Sequence, residues 1–477
     1  METNLNLVTK AKQTDNLVII TSNLKFIDKN NFSDSETKYI EKCIKKEDEI
    51  IYINQYNRSV YILFNKKTSL SSVNLEKTRK NAEKLCTQIN KHDIKEITIV
   101  SFDLPKETII AFAEGILLAN YQFLKHLTKL DKKKNSLSII NLLSSDFNEL
   151  LINELRNIIE SVYLSRDLIN EPLSHLNAVD LSNEILNTSK SAGFSATIFD
   201  KKKIEKLKMG GLLAVNKGSV DPPTFSILEW KPKEHKNKKP IVLVGKGIVY
   251  DTGGLSLKPT SNSMDYMKSD MSGAAAVLGV FNAIAKNNLP FYVIGLIPAT
   301  DNRPSGNAYA PGDIIEMYDG TTVEMLNADA EGRMILADAL SYAKTYDPEI
   351  VIDIATLTGA AAAAIGKYGI VTMGNAKEKT FDKLEKAGQN VYERIVRFPF
   401  WEEYDELLKS DIADLKNIGG SQAGAITAGK FLEHFTDYDW IHLDIAGSAY
   451  MSTKDSYRGI GGTGVGVRLF YDFIKNY

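Results

Sequence analysis

Asp329, Glu331 and Arg333 occupy alternate positions in EMLNADAEGRMILADAL (324–340), separated only by Ala330 and Gly332. Two other stretches also concentrate charge among small residues. GKGIVYDTGGLSLKP (245–259) carries Lys246, Asp251 and Lys258, and MDYMKSDMSGAAAV (264–277) sets Asp270 before an Ala-rich helical pattern. Taken singly, each has an ordinary reading. Asp270 and Asp329 suit the N-caps of the helices that follow, and acids suit a first helical turn. Lys246 reads as a strand-end lysine reaching water, and Gly253-Gly254 as a turn. Taken together they read differently, because four carboxylates at strand ends repel one another unless cations neutralise them. Carboxylate-rich sites suit Mg, Mn or Zn, and shared carboxylates suit two ions about 3.5–4 Å apart. The alternation Asp329-x-Glu331-x-Arg333 fits an extended exit from a strand, where residues two apart point the same way. Small residues at 328, 330 and 332 let backbone and ligand approach closely, which a cap alone does not require. The competing reading is a solvated acidic rim.

Something must position these groups. PIVLVGKG (240–247), FYVIGLIPAT (291–300) and EIVIDIATLTG (349–359) are near-continuous apolar runs, as strands buried on both faces are. FSILEW (225–230) is a further strand, and EWKPKEHKNKK between it and PIVLVGKG is a solvated charged loop. Helical patterns such as GAAAVLGVFNAIAKN (273–287) lie between the strands, which predicts a mainly parallel sheet covered on both faces. DIIEMYDGTTVEML (313–326) is a hairpin signal with Asp319-Gly320 at its turn. In open α/β sheets, sites lie beyond the carboxyl ends of strands, and the three clusters fall at such places.

The first third is Lys- and Asn-rich. IIYINQYNRSVYILFN (50–65) predicts two strands around a turn, EITIVSF (96–102) another strand, and TIIAFAEGILLANYQFL (108–124) a helix. LTKLDKKKN (127–135) reads as a basic, solvated loop. No motif here carries chemistry. FNELLINELRNIIESVYLSRDLINEP, ending at Pro172, predicts a long helix. The expected organisation is α/β throughout: a small N-terminal α/β domain (1–150), a connecting helix (151–172) and a larger C-terminal α/β domain with a mixed, mainly parallel central sheet (173–477).

Bulk composition narrows the function. The chain has 477 residues, 43% hydrophobic and 25% charged, with 58 Lys plus Arg against 60 Asp plus Glu. That balance gives no basic field for nucleic acid. Cys43 and Cys86 form no zinc spacing or disulfide framework. The N-terminal stretch meets charge early and lacks a signal-peptide core, and MSGAAAVLGVFNAIA (271–285) is too short to span a bilayer. A cytoplasmic protein without membrane partners is expected. GKGIVYDTGG lacks GxGxxG spacing and no GxxxxGK[ST] occurs, which argues against a dehydrogenase or an NTPase.

From roughly residue 160 to 477 the chain resembles the di-metal leucyl aminopeptidase family. NADAEGRMILADAL (327–340) is similar to that family's NTDAEGR-type signature, and the Lys246 and Asp270 segments are similar to its metal and lysine segments. RDLINEP (166–172), RPSGNAYAPGD (303–313), ATLTGA (355–360), WEEYDELLKSDIADLKNIGG (401–420), AGAITAGKFL (423–432) and HLDIAG (442–447) extend the likeness. The resemblance implies a catalytic aminopeptidase domain over 173–477 with two divalent metal ions, Zn or Mn first and Co or Mg admitted. Asp251 and Glu331 would bridge the ions. Lys246 and Asp270 would complete one position, and Asp329, through carboxylate and carbonyl, the other. Lys258 and Arg333 would be catalytic, Arg333 by holding bicarbonate as general base. The six histidines all lie outside the metal and arginine segments. Met267, Thr356, Gly359, Ala446 and Ala449 would line the pocket for the first side chain, Leu357 would contact the substrate backbone, and Asn327 and Ile418 would lie toward the second residue. The resemblance further implies peptide substrates with a free N-terminus, leucine-like preference and a homohexamer.

The ligand chemistry agrees with that assignment. A lysine ligates only as the neutral amine, so Lys246 is expected to face inward. A guanidinium cannot itself take a proton, so an arginine beside the nucleophile needs a held base. There are also departures from the family pattern. Ala328 stands where the signature usually has Thr, twelve positions separate Lys258 from Asp270 where eleven are expected, and Ala449 replaces a larger side chain. A wider first pocket is therefore expected. Two other readings remain: a two-metal phosphoesterase, and a non-enzymatic DNA-binding role of an oligomer.

Overall fold

The computed structural model describes residues 3–23, 25, 32–64, 70–101, 103–130, 133–143 and 147–477. The chain divides into two compact units, Met1–Glu160 with Thr453–Gly459, and Ser161–Ser452 with Ile460–Tyr477. The division falls inside a single helix, Glu149–Asn170.

The first unit is built on a six-stranded sheet: β1 (Asn4–Val8), β2 (Leu17–Thr21), β3 (Ile51–Asn54), β4 (Ser59–Phe64), β5 (Glu96–Val100) and β6 (Ile139–Leu143). Its order is β1-β6-β5-β2-β4-β3. β3 and β4 form the expected antiparallel pair, with Ile51 opposite Ile62, while the other pairings are parallel. The helix expected at 108–124 runs from Lys106 to Asn120. It crosses the helix Ser72–Lys91 closely, since a Cβ on Gly115 would sit 2.6 Å from the Arg79 carbonyl oxygen. The buried pair Arg79–Glu114 (2.5 Å) ties the same crossing. Asn65 and Phe102, at the ends of the predicted strands, and residues 131–132 of the basic segment lie outside the described residues.

The second unit centres on a nine-stranded sheet. It contains β7 (Ser195–Phe199), β8 (Thr224–Trp230), β9 (Ile241–Gly245), β10 (Gly247–Asp251), β11 (Val293–Asn302), β14 (Ile350–Ala355), β15 (Ile370–Gly374), β16 (Ile395–Arg397) and β18 (Trp440–Asp444). The order is β16-β15-β18-β14-β9-β11-β8-β7, with β10 pairing to β11. β9, β11, β14 and β18 run parallel, while β7–β8, β8–β11 and β15–β18 are antiparallel. The sheet is therefore mixed and mainly parallel at its centre. β9 is buried at every position because it has parallel neighbours on both sides and helices over both faces. Val242, Val244, Ile294 and Leu296 share a core with Met334, Leu336 and Leu340 of the helix Glu331–Ala343. On the alternate face, a Cβ on Gly295 would meet Phe281 and Val277 of the helix Ser272–Lys286. Three further strands, β12 (Asp313–Glu316), β13 (Thr322–Met325) and β17 (Leu415–Lys416), form a small sheet, and β19 (Tyr450–Met451) pairs with β20 (Gly461–Gly462). β12 and β13 are the predicted hairpin, and Gly320 takes the positive φ (91°) its turn requires.

Parallel alignment brings the carboxyl ends of β9, β14 and β18 to one edge. Lys246, Thr356 and the residues after Asp444 therefore emerge side by side. Gly273 makes this possible: a Cβ there would lie 2.0 Å from the Ile354 carbonyl oxygen, so only glycine lets the Ser272 helix start against β14. Asp270, three residues earlier, is thereby delivered to Lys246.

Candidate metal and catalytic centre

Lys246 is 2% exposed and stands between two acids. Its Nζ donates to Asp270 Oδ1 at 2.8 Å and lies 3.0 Å from Glu331 Oε1. It also donates to the Thr356 carbonyl at 2.8 Å. Burial pulls the ammonium down, but Asp270, Glu331 and Asp251 together outweigh burial and hold its pKa above the ordinary lysine value. Burial pushes Glu331 up to about 8, reinforced by Asp251 and opposed by Lys246. Asp270 is pushed up to about 6 by burial against the pull of Lys246. Gly332 matters because of this lysine: a Cβ at 332 would lie 2.5 Å from Lys246 Cε. The small residue in the signature makes room for a side chain arriving from β9.

The second half of the centre is arranged around Lys258. Its Nζ pairs with Asp251 Oδ2 at 2.9 Å and with Asp329. Asp251 Oδ1 accepts from the Gly253 N–H and from Asn302 Nδ2, both at 2.8 Å. Burial raises Asp329, with Asp251 adding repulsion and Lys258 opposing it. One oxygen from each of Asp251, Asp329 and Glu331 lies within 4.8 Å of the others.

Neither aspartate caps a helix. The N-cap of the Ser272 helix is Met271 and that of the Glu331 helix is Ala330, each without a side-chain cap bond. Both carboxylates turn inward to lysines instead. The expected extended exit is also absent. The chain turns at Asn327–Ala330, where Asn327 Oδ1 accepts the Asp329 N–H (2.8 Å), and Glu331 already lies in the first helical turn. Helical rotation separates Glu331, which faces Lys246, from Arg333, which reaches Asn417: its Nη1 donates to the Asn417 carbonyl at 2.7 Å. Arg333 is 7% exposed, and its Nε is buried without a hydrogen-bond partner. Burial pulls its pKa down to about 10, opposed by Glu331 and Asp444, so it remains cationic at neutral pH.

Several contacts had no signal in local spacing. Asn302, fully buried, bridges Asp251 and the Ala328 carbonyl (2.9 Å), which Tyr309 Oη also donates to at 2.9 Å. Ser256 Oγ accepts the Ala328 N–H at 3.0 Å. Position 328 thus contributes its backbone, and its buried methyl lies 3.1 Å from where a Cβ on Gly254 would be. Asn417 and Asp444 lie in the quoted stretches WEEYDELLKSDIADLKNIGG and HLDIAG, but spacing alone gave neither a partner. Of the expected substrate residues, Met267, Asn327, Thr356, Leu357, Ile418 and Ala446 are half-buried, Gly359 is exposed and Ala449 is buried.

The donor set fits divalent cations. Glu331 Oε2 is buried without a hydrogen-bond partner, and four carboxylates share one pocket with only two ammonium groups for neutralisation. Arg333 Nε, orphaned and buried, fits a small oxyanion by the same reasoning.

The family model described as the cytosol aminopeptidase family, catalytic domain, matches residues 163–471. A probable cytosol aminopeptidase of Chlorobaculum tepidum is 47% identical over 398 residues, 78% of this chain and 76% of that protein. Among solved structures, a lysine-to-glutamate variant of tomato leucine aminopeptidase superposes with a TM-score of 0.86 at 26% identity, covering 100% of this chain and 97% of that one. The bottromycin maturation enzyme BotP in complex with Mn gives 0.84 at 26% identity, over 97% and 99% of the two chains. A family match across most of the chain, a relative of nearly half identity and a shared α/β architecture lead to one conclusion: the chain belongs to the cytosol aminopeptidase family and is a metallo-aminopeptidase.

Proposed function

We propose that this enzyme releases N-terminal, preferentially leucine-like residues from peptides at a centre of two divalent ions, Zn or Mn first. The observation that carries the reading is the set of buried Lys246, Asp251, Asp270 and Glu331 with half-buried Asp329 beyond the carboxyl ends of the sheet. Asp251 and Glu331 would be shared between the ions, Lys246 and Asp270 would complete one position and Asp329 the other. Bound there, such ions polarise a peptide carbonyl and lower the pKa of water. Lys246 can join them only as an amine, so its present proton must leave. Lys258, an ammonium between Asp251 and Asp329, would stabilise charge developing on the carbonyl oxygen. Arg333 would hold a bicarbonate on its free Nε, supplying the base that a guanidinium cannot be.

Met267, Thr356, Gly359, Ala446 and Ala449 would form the first pocket, Leu357 would meet the substrate backbone, and Asn327 and Ile418 would lie toward the second residue. A homohexamer in the cytoplasm completes the reading. Among the described residues, no helix is long and apolar enough to cross a membrane.

The test is hydrolysis by protein loaded in turn with Zn, Mn, Co and Mg. Leucine p-nitroanilide should turn over and p-nitrophenyl phosphate should not, and the reverse would replace the reading with a phosphoesterase. Leucyl, phenylalanyl and tryptophyl amides then probe the first pocket. Strong discrimination against both aromatics would remove its expected width.

A further inference from the structure

Asp444 ends β18 and is 2% exposed, yet none of its hydrogen bonds goes to a metal-site residue or to a cation. A buried carboxylate is costly unless hydrogen bonds compensate it. Its bonds all go to the two loops that leave the sheet beside the centre. Oδ1 accepts the Leu357 N–H at 3.2 Å and the Ala446 N–H at 3.1 Å, and Oδ2 accepts the Thr358 hydroxyl at 2.7 Å. Thr358 in turn caps the helix Gly359–Ile365, its Oγ1 accepting the Ala361 N–H at 3.0 Å. The peptide unit between Thr356 and Leu357 is therefore held at both ends. Its carbonyl accepts from Lys246 Nζ and its N–H goes to Asp444. The Thr356 hydroxyl adds a bond to Asp270 Oδ1 at 2.8 Å.

We infer that Asp444 is a positioning residue for substrate, fixing the loop 356–359 and the turn at Ala446 in register with the Lys246 side of the centre. This rests on the aminopeptidase reading above and extends it to a residue that contacts neither metal nor reacting atoms. The Leu357 N–H and the Ala446 N–H are both committed to Asp444, so neither is left to donate to a bound peptide. An amide at 444 would keep the volume and an oxygen for the two N–H groups, but its N–H₂ would replace Oδ2 at Thr358, forcing that hydroxyl to reverse from donor to acceptor while it already accepts the Ala361 N–H. The loop beyond Thr356 would then lose its register, while Lys246 keeps Asp270 and Glu331 and Lys258 keeps Asp251 and Asp329.

The test is steady-state kinetics of the full-length, metal-loaded enzyme with leucine p-nitroanilide, for D444N, T358V, T358S and the double variant D444N/T358V. D444N should raise KM about tenfold with a smaller change in kcat, and metal content by elemental analysis should equal that of the wild type. T358V should act in the same direction, T358S should retain wild-type KM, and the effects in the double variant should be less than additive, because both changes remove the Asp444–Thr358 bond. An unchanged KM in D444N, additive effects in the double variant, or loss of metal would overturn the inference. If D444N does not fold, T358V against T358S decides it, and a wild-type KM in T358V overturns it. Wild-type protein inactive on every aminoacyl anilide would take down the aminopeptidase reading and this inference with it.

Discussion

At the scale of single residues, charge compensation explains why each group stands where it does. Lys246 and Lys258 neutralise part of a four-carboxylate pocket, and Glu331 touches both halves: it pairs with Lys246 directly and feels Asp251 as its strongest repulsive neighbour. Glu331→Gln removes a shared charge without changing volume. It should lower metal content as well as turnover, and elemental analysis beside an activity assay checks both. Arg333 stands apart from that group, bonded to the Asn417 carbonyl and leaving Nε free. Arg333→Ala should therefore keep wild-type metal content while kcat falls by about 10²-fold or more, the scale of a lost general base. Added bicarbonate should accelerate the wild type and leave the variant unmoved. Metal loss in Arg333→Ala would contradict the separation of roles.

At the scale of elements, the same charges depend on helices and strands that meet at close range. The helix Glu331–Ala343 is anchored midway by Asp338, which is fully buried. Its Oδ2 accepts the Leu212 N–H at 2.8 Å and its Oδ1 the Tyr318 N–H at 2.9 Å. An amide must turn a donor toward one of these donors, so Asp338→Asn should cost about 1–3 kcal/mol and lower Tm, with thermal unfolding as the measurement. Much of this architecture was legible in the sequence. Continuous apolar runs gave β9, β11 and β14, and an Asp-Gly turn gave the β12–β13 hairpin, because those signals are local. The cap reading open to Asp270 and Asp329 when each is taken singly fails for the same reason. A local pattern prefers an aspartate as cap, and only the tertiary fold brings a lysine near enough to claim it. The extended reading of Asp329, Glu331 and Arg333 failed because Asn327 turns the chain before the helix begins. Gly332 looked like a place for ligand approach, and the structure gives a sharper cause in Lys246 Cε. Asn302, Asn417 and Asp444 act across long sequence separations, where spacing carries no signal.

At the scale of the whole molecule, metal, protons and stability are linked. In the metal-free protein, carboxylates hold the Lys246 ammonium above its ordinary pKa despite burial, while burial lifts Glu331 to about 8 and Asp270 to about 6. Metal binding requires the opposite of each: a neutral amine and ionised carboxylates. The sign is the same for all three, since each group must lose its proton for the ion to bind. Affinity should therefore rise with pH across the range from about 6 to about 8 and beyond, and binding should release protons. Titrating chelator-treated protein with Mn by calorimetry, in buffers of different ionisation enthalpy at matched pH, measures the number released. Because ions that bind only the folded chain stabilise it by mass action, Tm should climb with Mn concentration, and the climb should be steeper at pH 8 than at pH 6. Chelation should reverse the gain. A Tm gain independent of pH, or calorimetric heats that do not vary with buffer, would mean that Lys246 and the two acids keep their protons. The metal would then sit elsewhere than among these side chains.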